Sequence, residues 1–412
     1  MWLYLQRVVI PHQVTEAAIH GRPRGNLSDL YPRWLGAREL LLRGRDPYSA
    51  EVTREIQAGY YGRPLDAARA EDPRDQQGFA YPVYVAFLLA PTVGLPFDIV
   101  QRSFYWILMA ITILSVLLWL RVLRWSTPWW TQVSLSLLTI GSPAVMQGLK
   151  LRQLSLLVAA VILAAILLLL ADRLSAAGFF LALATIKPQV VWLLLLWLAV
   201  WTVADWKRRY RLLLSFLISM TVLVASSEIL LPHWIPRFFQ AVQEYRRYTG
   251  ATSVLSTMVS PIVGVSAAIL SLVPTALICW KERKQPADSE AFVRVLCLAL
   301  AVTVLVAPTA APYNQILLLP SILLLARECR TIGRRSGSGT FLVAIAAALA
   351  AWPWITSILI AALSFVMRPE GVQRFWTVPF WTVWLNPVAV AALMLIVAYR
   401  GSVAPTQERA TA

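Results

Sequence analysis

Residues 153–171 read QLSLLVAAVILAAILLLLA, without a single charged side chain. A helix that crosses the hydrocarbon core of a bilayer needs about 20 such residues, so this stretch decides the fold class. Working outward, comparable runs fill 101–122, 129–146, 174–187, 188–204, 211–231, 255–280, 291–307, 313–326, 340–366 and 379–399. The pair 174–187 and 188–204 is short and meets at Lys187-Pro188-Gln189. Proline at that junction fits two thin helices or one kinked helix. The bulk numbers agree. The 412 residues are 58% hydrophobic and 14% charged, with a mean hydropathy of +0.63, where a soluble chain carries about 25% charged residues. The 18 Trp and 13 Tyr supply rings that anchor at membrane–water boundaries. An ordinary soluble enzyme, a disordered chain and a fibrous chain are excluded. The expectation is an all-α, polytopic transmembrane helical protein of about 11 spans with additional surface helices.

The charge is unevenly spread. Residues 1–78 hold 11 Arg and 10 acids, whereas the remainder holds 26 basic residues and 11 acids. The leading segment is polar and belongs in water. Elsewhere the bases lie between apolar runs, where membrane orientation puts them, so the net charge of +16 calls for no nucleic-acid partner. One set of loops, with Arg121, Arg173, the run Lys207-Arg208-Arg209, Lys281 and Arg327 among its bases, totals 17 Lys and Arg; the opposite set totals 9. The richer set reads as cytoplasmic. Three units follow: an external loop with amphipathic surface helices and a re-entrant segment at 1–100, a transmembrane domain at 101–400, and a cytoplasmic tail at 401–412. The re-entrant reading rests on the three prolines of 79–97, Pro82, Pro91 and Pro96. Met1 to Ile10 (MWLYLQRVVI) reads as too short to span, and Arg7 interrupts it. The external segment is therefore expected to be translocated without a leading span, or to follow one encoded upstream of Met1. Cys279, Cys297 and Cys329 stand at no ligand-like spacing and argue for neither a disulfide framework nor zinc.

Asp29 to Arg43 (DLYPRWLGARELLLR) reads as one helix. Ser28 or Asp29 can cap it, Pro32 is tolerable in its first turn, and Gly44 stops it. Leu30, Trp34, Ala37 and Leu41 form an apolar stripe that leaves Arg33 and Arg43 off it, as in a helix lying on a membrane surface. Asp29 is a candidate general base, because transfer to a hydroxyl needs a carboxylate to take the proton; simple helix capping is the competing role. Asp46, before Pro47, reads first as a turn residue. Lys150, Arg152, Lys187, Arg237, Arg246 and Arg247 run against the positive-inside trend. Lys187 is the sharpest of them, an ionisable group at a membrane boundary, and an anionic lipid headgroup suits it. Snorkelling to phospholipid phosphates accounts for Arg237, Arg246 and Arg247. Tyr313, Asn314 and Gln315 mark a turn between spans where polar groups either meet sugar hydroxyls or satisfy helix ends. The sequence has no Gly-rich phosphate loop, no Ser-His-Asp arrangement and no metal-ligand cluster, so no cofactor or metal is expected.

Taken in order, these stretches resemble the bacterial membrane glycosyltransferases of family 87, of the integral-membrane GT-C type, which include polyprenyl-phosphate-mannose-dependent α-mannosyltransferases. Asp29-Leu30-Tyr31 through Ala37-Arg38-Glu39 to Gly44-Arg45-Asp46-Pro47-Tyr48 looks like their first external loop. Phe79-Ala80-Tyr81-Pro82 is similar to their Phe-x-Tyr-Pro-Pro, and Arg152-Gln153-Leu154-Ser155 to a Gly-Gln-x-Asn/Ser element. Ala177-Gly178 with Ile186-Lys187-Pro188-Gln189 looks like a Gly…Lys-Pro segment, and Ala307 to Gln315 takes the place of a Ser-Pro-x-x-Trp motif. The resemblance spans roughly 26–326. Val83 replaces the second proline, Arg152 replaces the glycine before Gln153, and the histidines many members carry near the late turn are absent.

The resemblance implies a multi-pass plasma-membrane enzyme with its active site on the non-cytoplasmic face. It would move a hexose, mannose first among candidates, from a polyprenyl phosphate to a hydroxyl of a glycolipid or glycan acceptor, with inversion. Asp29 would be the general base. Lys187, Arg152 and Lys150 would hold the departing lipid phosphate. Gln153, Tyr81, Tyr313 and Asn314 would position sugar and lipid. The partners would be the lipid-linked sugar, the acceptor and membrane lipids, with no nucleic acid. Two rivals remain at this stage: a transporter or flippase of a lipid-linked or amphipathic solute, and a non-catalytic scaffold.

Overall fold

The computed structural model describes residues 1–22, 28–66, 68–250, 252–308, 310–335 and 337–403. Of the expected tail, 404–412 lies outside the described residues, as does Thr309 of the late turn. Among those described, the chain is all helix and turn, with no strand. Five segments are long and apolar enough to cross a bilayer: Phe97–Val122, Trp206–Leu230, Pro261–Glu282, Thr340–Leu363 and Pro369–Gly401. A sixth results if Pro143–Leu151 and Leu154–Leu170, bent by 113° at their junction, count as one. Their outer faces carry large exposed apolar side chains, for example Leu217, Ile218 and Val222 or Ile262, Ile269 and Leu270. Apolar surface on that scale marks contact with lipid. The molecule is a membrane protein.

Each expected apolar run carries helix, but several are shorter or broken, and local chemistry shows why. The run 129–146 splits into Trp129–Ile140 and Pro143–Leu151. Ser142 accepts from the Val145 N–H at 3.4 Å and Pro143 opens the new helix, a capped start that ends the previous helix. Ser260 and Pro261 divide 255–280 in the same way. Residues 313–326 begin as a 3₁₀ turn, Pro312–Leu318, before Leu319–Arg335 becomes α-helical. Glu290–Val306 stands at the centre, with Phe292, Leu296, Leu298, Leu300 and Val302 all buried. A helix apolar on every side belongs inside the bundle. Trp197 and Trp201 pack on Phe292 at ring distances of 5.9 and 5.2 Å.

The beginning of the chain differs from expectation. Helix runs without a break over 2–19, about 27 Å at 1.5 Å per residue. Its Leu5–Val9 portion is a π-helix, in which Ile10 N–H donates to the Leu5 carbonyl. Pro11 explains it: the ring has no N–H and crowds the carbonyl four residues back, so the preceding turn widens instead of breaking. Tyr4, Leu5, Val8 and Val9 are buried against Ile360, Ala361, Val372 and Met146. Arg7 does not interrupt the helix; its guanidinium lies 3.8 Å over the Phe365 ring.

Leu30–Arg43 and Ala50–Tyr61 form a helical pair, and an irregular strap at 62–84 folds back over it. Gly44, with φ +63°, ends the first helix as expected. Buried Glu39 is bound by Arg43 and Arg45, and Arg45 reaches on to Glu55 at 2.7 Å, which fixes the angle between the two helices. Gly36 leaves room for Phe79, whose ring lies 2.3 Å from where a Cβ would stand. Segment 79–97 is no straight span but a short helix, Val85–Leu89, and a 3₁₀ turn. Tyr84 then joins this unit to the bundle, its hydroxyl 3.0 Å from the Thr185 carbonyl, two residues before Lys187.

Candidate active site

Asp29 sits at the entry of Leu30–Arg43, yet its carboxylate makes no capping bond. One oxygen accepts from the Gln153 side-chain amide, and the other is 3.5 Å from the Tyr60 hydroxyl. Arg33 stands one turn later on the same face. It donates to the Asp29 carbonyl and lies 4.7 Å over the Tyr81 ring. Pro32 between them does no harm, because first-turn amides lack helical acceptors anyway.

Lys187 comes from the far side. Leu174–Ala184 ends just before it, and Pro188 bars Lys187 from helical geometry (φ −131°, ψ +73°). That turn sends the ammonium inward, where the residue is only 4% exposed. It donates to Ser155 and, at 3.3 Å, to the Gln153 carbonyl oxygen. Tyr313 lies beneath it, 4.6 Å from ammonium to ring centre. The Ser155 hydroxyl in turn donates to the Asn314 amide oxygen at 2.8 Å. Gln153 therefore bridges the two charges: its NH₂ faces Asp29 and its oxygen faces Lys187. Lys187 forms no ion pair among the described residues; the Arg33 guanidinium is near enough to repel it, and the Asp29 carboxylate across Gln153 attracts it from beyond ion-pair reach. A buried ammonium without an ion-pair partner costs several kcal/mol, by order of magnitude. The arrangement is built to receive a negative group.

The remaining expected residues divide. Tyr81 belongs to the cluster through Arg33. Lys150 donates to Gln13 of the leading helix and feels the charge of Asp29 from there. Arg152 points elsewhere. It occupies the left-handed region (φ +51°), and its guanidinium binds the Gln101 carbonyl at 3.2 Å and faces the Tyr105 ring at 5.4 Å. Asp46 makes its turn, accepting from Tyr48 N–H at 2.9 Å, and also pairs with Arg237 at 2.8 Å. Gln315 turns away to the Val383 carbonyl.

Arg33, Tyr60, Asp75 and the tyrosines of Trp234–Thr249 escaped the sequence reading. For Arg33 a signal existed, its i+4 spacing from Asp29; the surface-helix reading sent it outward instead. Burial, reinforced by the charge of Asp29, holds the Tyr60 phenol well above its usual range, so it remains a proton donor beside that carboxylate.

The 3₁₀ turn has two faces. Tyr313 and Asn314 serve the cluster, while Gln315, Ile316, Leu318 and Leu319 line an apolar cavity of about 720 Å³. Leu135, Leu323, Ala347, Ala351 and Val390 close its other sides.

Compared with known proteins, residues 79–308 match the family model described as glycosyltransferase family 87. That range is more than half of the chain and contains Tyr81, Gln153 and Lys187, with Asp29 and Tyr313 beyond its ends. No curated protein and no solved structure matches.

Proposed function

The chain belongs to glycosyltransferase family 87, and from that premise we propose that it transfers a hexose, mannose first among candidates, from a polyprenyl phosphate to a hydroxyl of a glycolipid or glycan. The observation that carries this reading is the amide of Gln153 joining a carboxylate to a buried ammonium without an ion-pair partner. A displacement at an anomeric carbon needs both. Asp29 takes the proton as the acceptor oxygen bonds to C1, and the C1–O bond to phosphate breaks with its electron pair. Lys187 receives the charge that develops on the departing lipid phosphate, with Arg33 supplying a second, permanent cation. Lys150 flanks this cradle, and Arg152, turned toward Tyr105, is left out of it. Gln153, Tyr81, Tyr313 and Asn314 position the sugar. A single displacement inverts the anomeric centre.

The lipid part of the donor is supported by the cavity behind the 3₁₀ turn. An isoprenoid tail is all hydrocarbon, and the cavity wall is leucine, isoleucine, valine and alanine with few polar atoms. A nucleotide-linked sugar has no use for it. The shorter buried helices join the long ones in about 11 crossings, with residues 28–96 and the cluster on the non-cytoplasmic face of the plasma membrane. The rival reading, a flippase, would use the cavity and Lys187 but has no role for Asp29.

The test is transfer by purified protein. Radiolabelled polyprenyl-phosphate hexoses and a membrane glycolipid extract are supplied, and the product is read by mass spectrometry. The proposal expects sugar on an extract component and free polyprenyl phosphate in equal amount. Translocation in vesicles without transfer would favour the flippase.

A further inference from the structure

The strap at 75–78 is held more firmly than a connector requires. Tyr61 hydroxyl donates to the Asp75 carbonyl at 2.8 Å. Gln57 donates to the Gln76 backbone and side-chain oxygens at 3.1 and 3.0 Å. Gln77 is in the left-handed region (φ +54°), rare for a residue with a side chain. Its amide N–H and its side-chain NH₂ each donate to one oxygen of Asp75, at 3.0 and 2.7 Å. The carboxylate is thereby fixed in orientation, and each oxygen keeps a lone pair. Among the described residues Asp75 forms no ion pair.

Across from it stands the last turn of Trp234–Thr249. Tyr245 and Tyr248 form an edge-to-face pair at 5.6 Å. Both lie close enough to Asp75 and Arg33 to feel their charges, and Tyr245 feels Asp29 and Tyr81 as well. Arg237 ties this helix to Asp46. Asp75 is near enough to Asp29 to feel its charge, and the Tyr248 hydroxyl is hydrogen-bonded by the Gly78 backbone of the strap, so a second carboxylate stands beside the Asp29 cluster with two phenol rings next to it. A fixed carboxylate chelates neighbouring hydroxyls, and aromatic faces stack on the C–H face of a pyranose.

We propose that Asp75, Gln77, Tyr245 and Tyr248 form the acceptor subsite, which takes a carbohydrate through vicinal hydroxyls and presents a further hydroxyl to Asp29. This rests on the glycosyltransferase reading and adds the residues that hold the sugar of the acceptor. Asp75 here is a positioning residue that leaves the donor site alone.

The test measures two rates on the same reconstituted preparations, with membrane glycolipid extract as the acceptor source. One is transfer as the extract is titrated; the other is hydrolysis of the lipid-linked donor without extract. Asp75→Asn and Tyr248→Phe should each raise the apparent KM for extract, by about tenfold for loss of the charged acceptor. Donor hydrolysis and the transfer rate at saturating extract should stay within about twofold of wild type. Normal hydrolysis also shows that the variants are folded. An unchanged KM for extract overturns the subsite while the enzymatic reading stands. Wild-type protein that neither transfers nor hydrolyses the donor overturns both.

Discussion

Lys187 is the residue whose chemistry is most constrained. It is buried, with hydrogen bonds to neutral partners only. Lys187→Met should weaken donor binding by roughly tenfold to a hundredfold, the worth of a hydrogen bond to a charged group. The same change removes a buried ammonium without an ion-pair partner, so thermal unfolding of the donor-free protein should occur at an equal or higher temperature. A lower melting temperature together with unchanged donor affinity would make Lys187 a structural residue. Asp75 gives a prediction in pH. Burial pushes its carboxyl above the usual aspartate value, against the pull of its bonds from Gln77. Around it stand Asp29, Arg33, Tyr60, Tyr61, Tyr245 and Tyr248. As pH falls, Asp75 should therefore lose its charge earlier than an ordinary aspartate. The KM for acceptor should rise with it, and should stay flat in Asp75→Asn. Sequence made Gln153, Lys187 and Asn314 legible because each is a polar residue at the end of an apolar run, and Asp29 because it opens an amphipathic helix. It misdirected Arg152, since the left-handed turn that aims it toward Tyr105 leaves no trace in residue types. It hid Asp75, whose phenol neighbours Tyr245 and Tyr248 come from a helix far away in the chain.

At the level of elements, the close crossing of Leu174–Ala184 on Trp206–Leu230 sets where Lys187 emerges. Gly178 makes that approach possible. A Cβ there would stand 2.4 Å from the Leu212 carbonyl and 2.9 Å from the Phe216 nitrogen, both backbone atoms that cannot swing aside. Small residues at such crossings are how membrane helices pack. Gly178→Val should cost about 1–3 kcal/mol of stability by overpacking. It should also lower activity more than Ala176→Val, a neighbouring half-buried position; equal effects would show that the crossing is loose. Apolar runs announced the helices, since no bilayer-length stretch of leucine and alanine has another solution. Their ends were less legible. The leading helix was cut short at Ile10 because His12, Gln13 and Glu16 break the apolar pattern, although they do not break a helix whose other face is buried. The runs 129–146 and 255–280 read as continuous because Ser-Pro inside an apolar stretch is ambiguous until the capping bond is seen.

For the whole molecule, the proposed topology puts the basic loops and the polar leading segment on opposite sides. With Cys329→Ser in the background, Arg69→Cys and Arg208→Cys place single thiols at exposed positions of the two. An impermeant maleimide should label the first in intact spheroplasts and the second only after lysis. Labelling of both from one side would remove the proposed topology. The architecture brings a carboxylate from the start of the chain to an ammonium in its middle, through one glutamine. The account's central claim is that these two serve one reaction. The most direct measurement is single-turnover transfer by Asp29→Asn, with donor binding determined on the same sample. The account predicts a rate about 10²–10⁴ times slower, the usual worth of a general base, with donor affinity unchanged. A rate equal to wild type would contradict it.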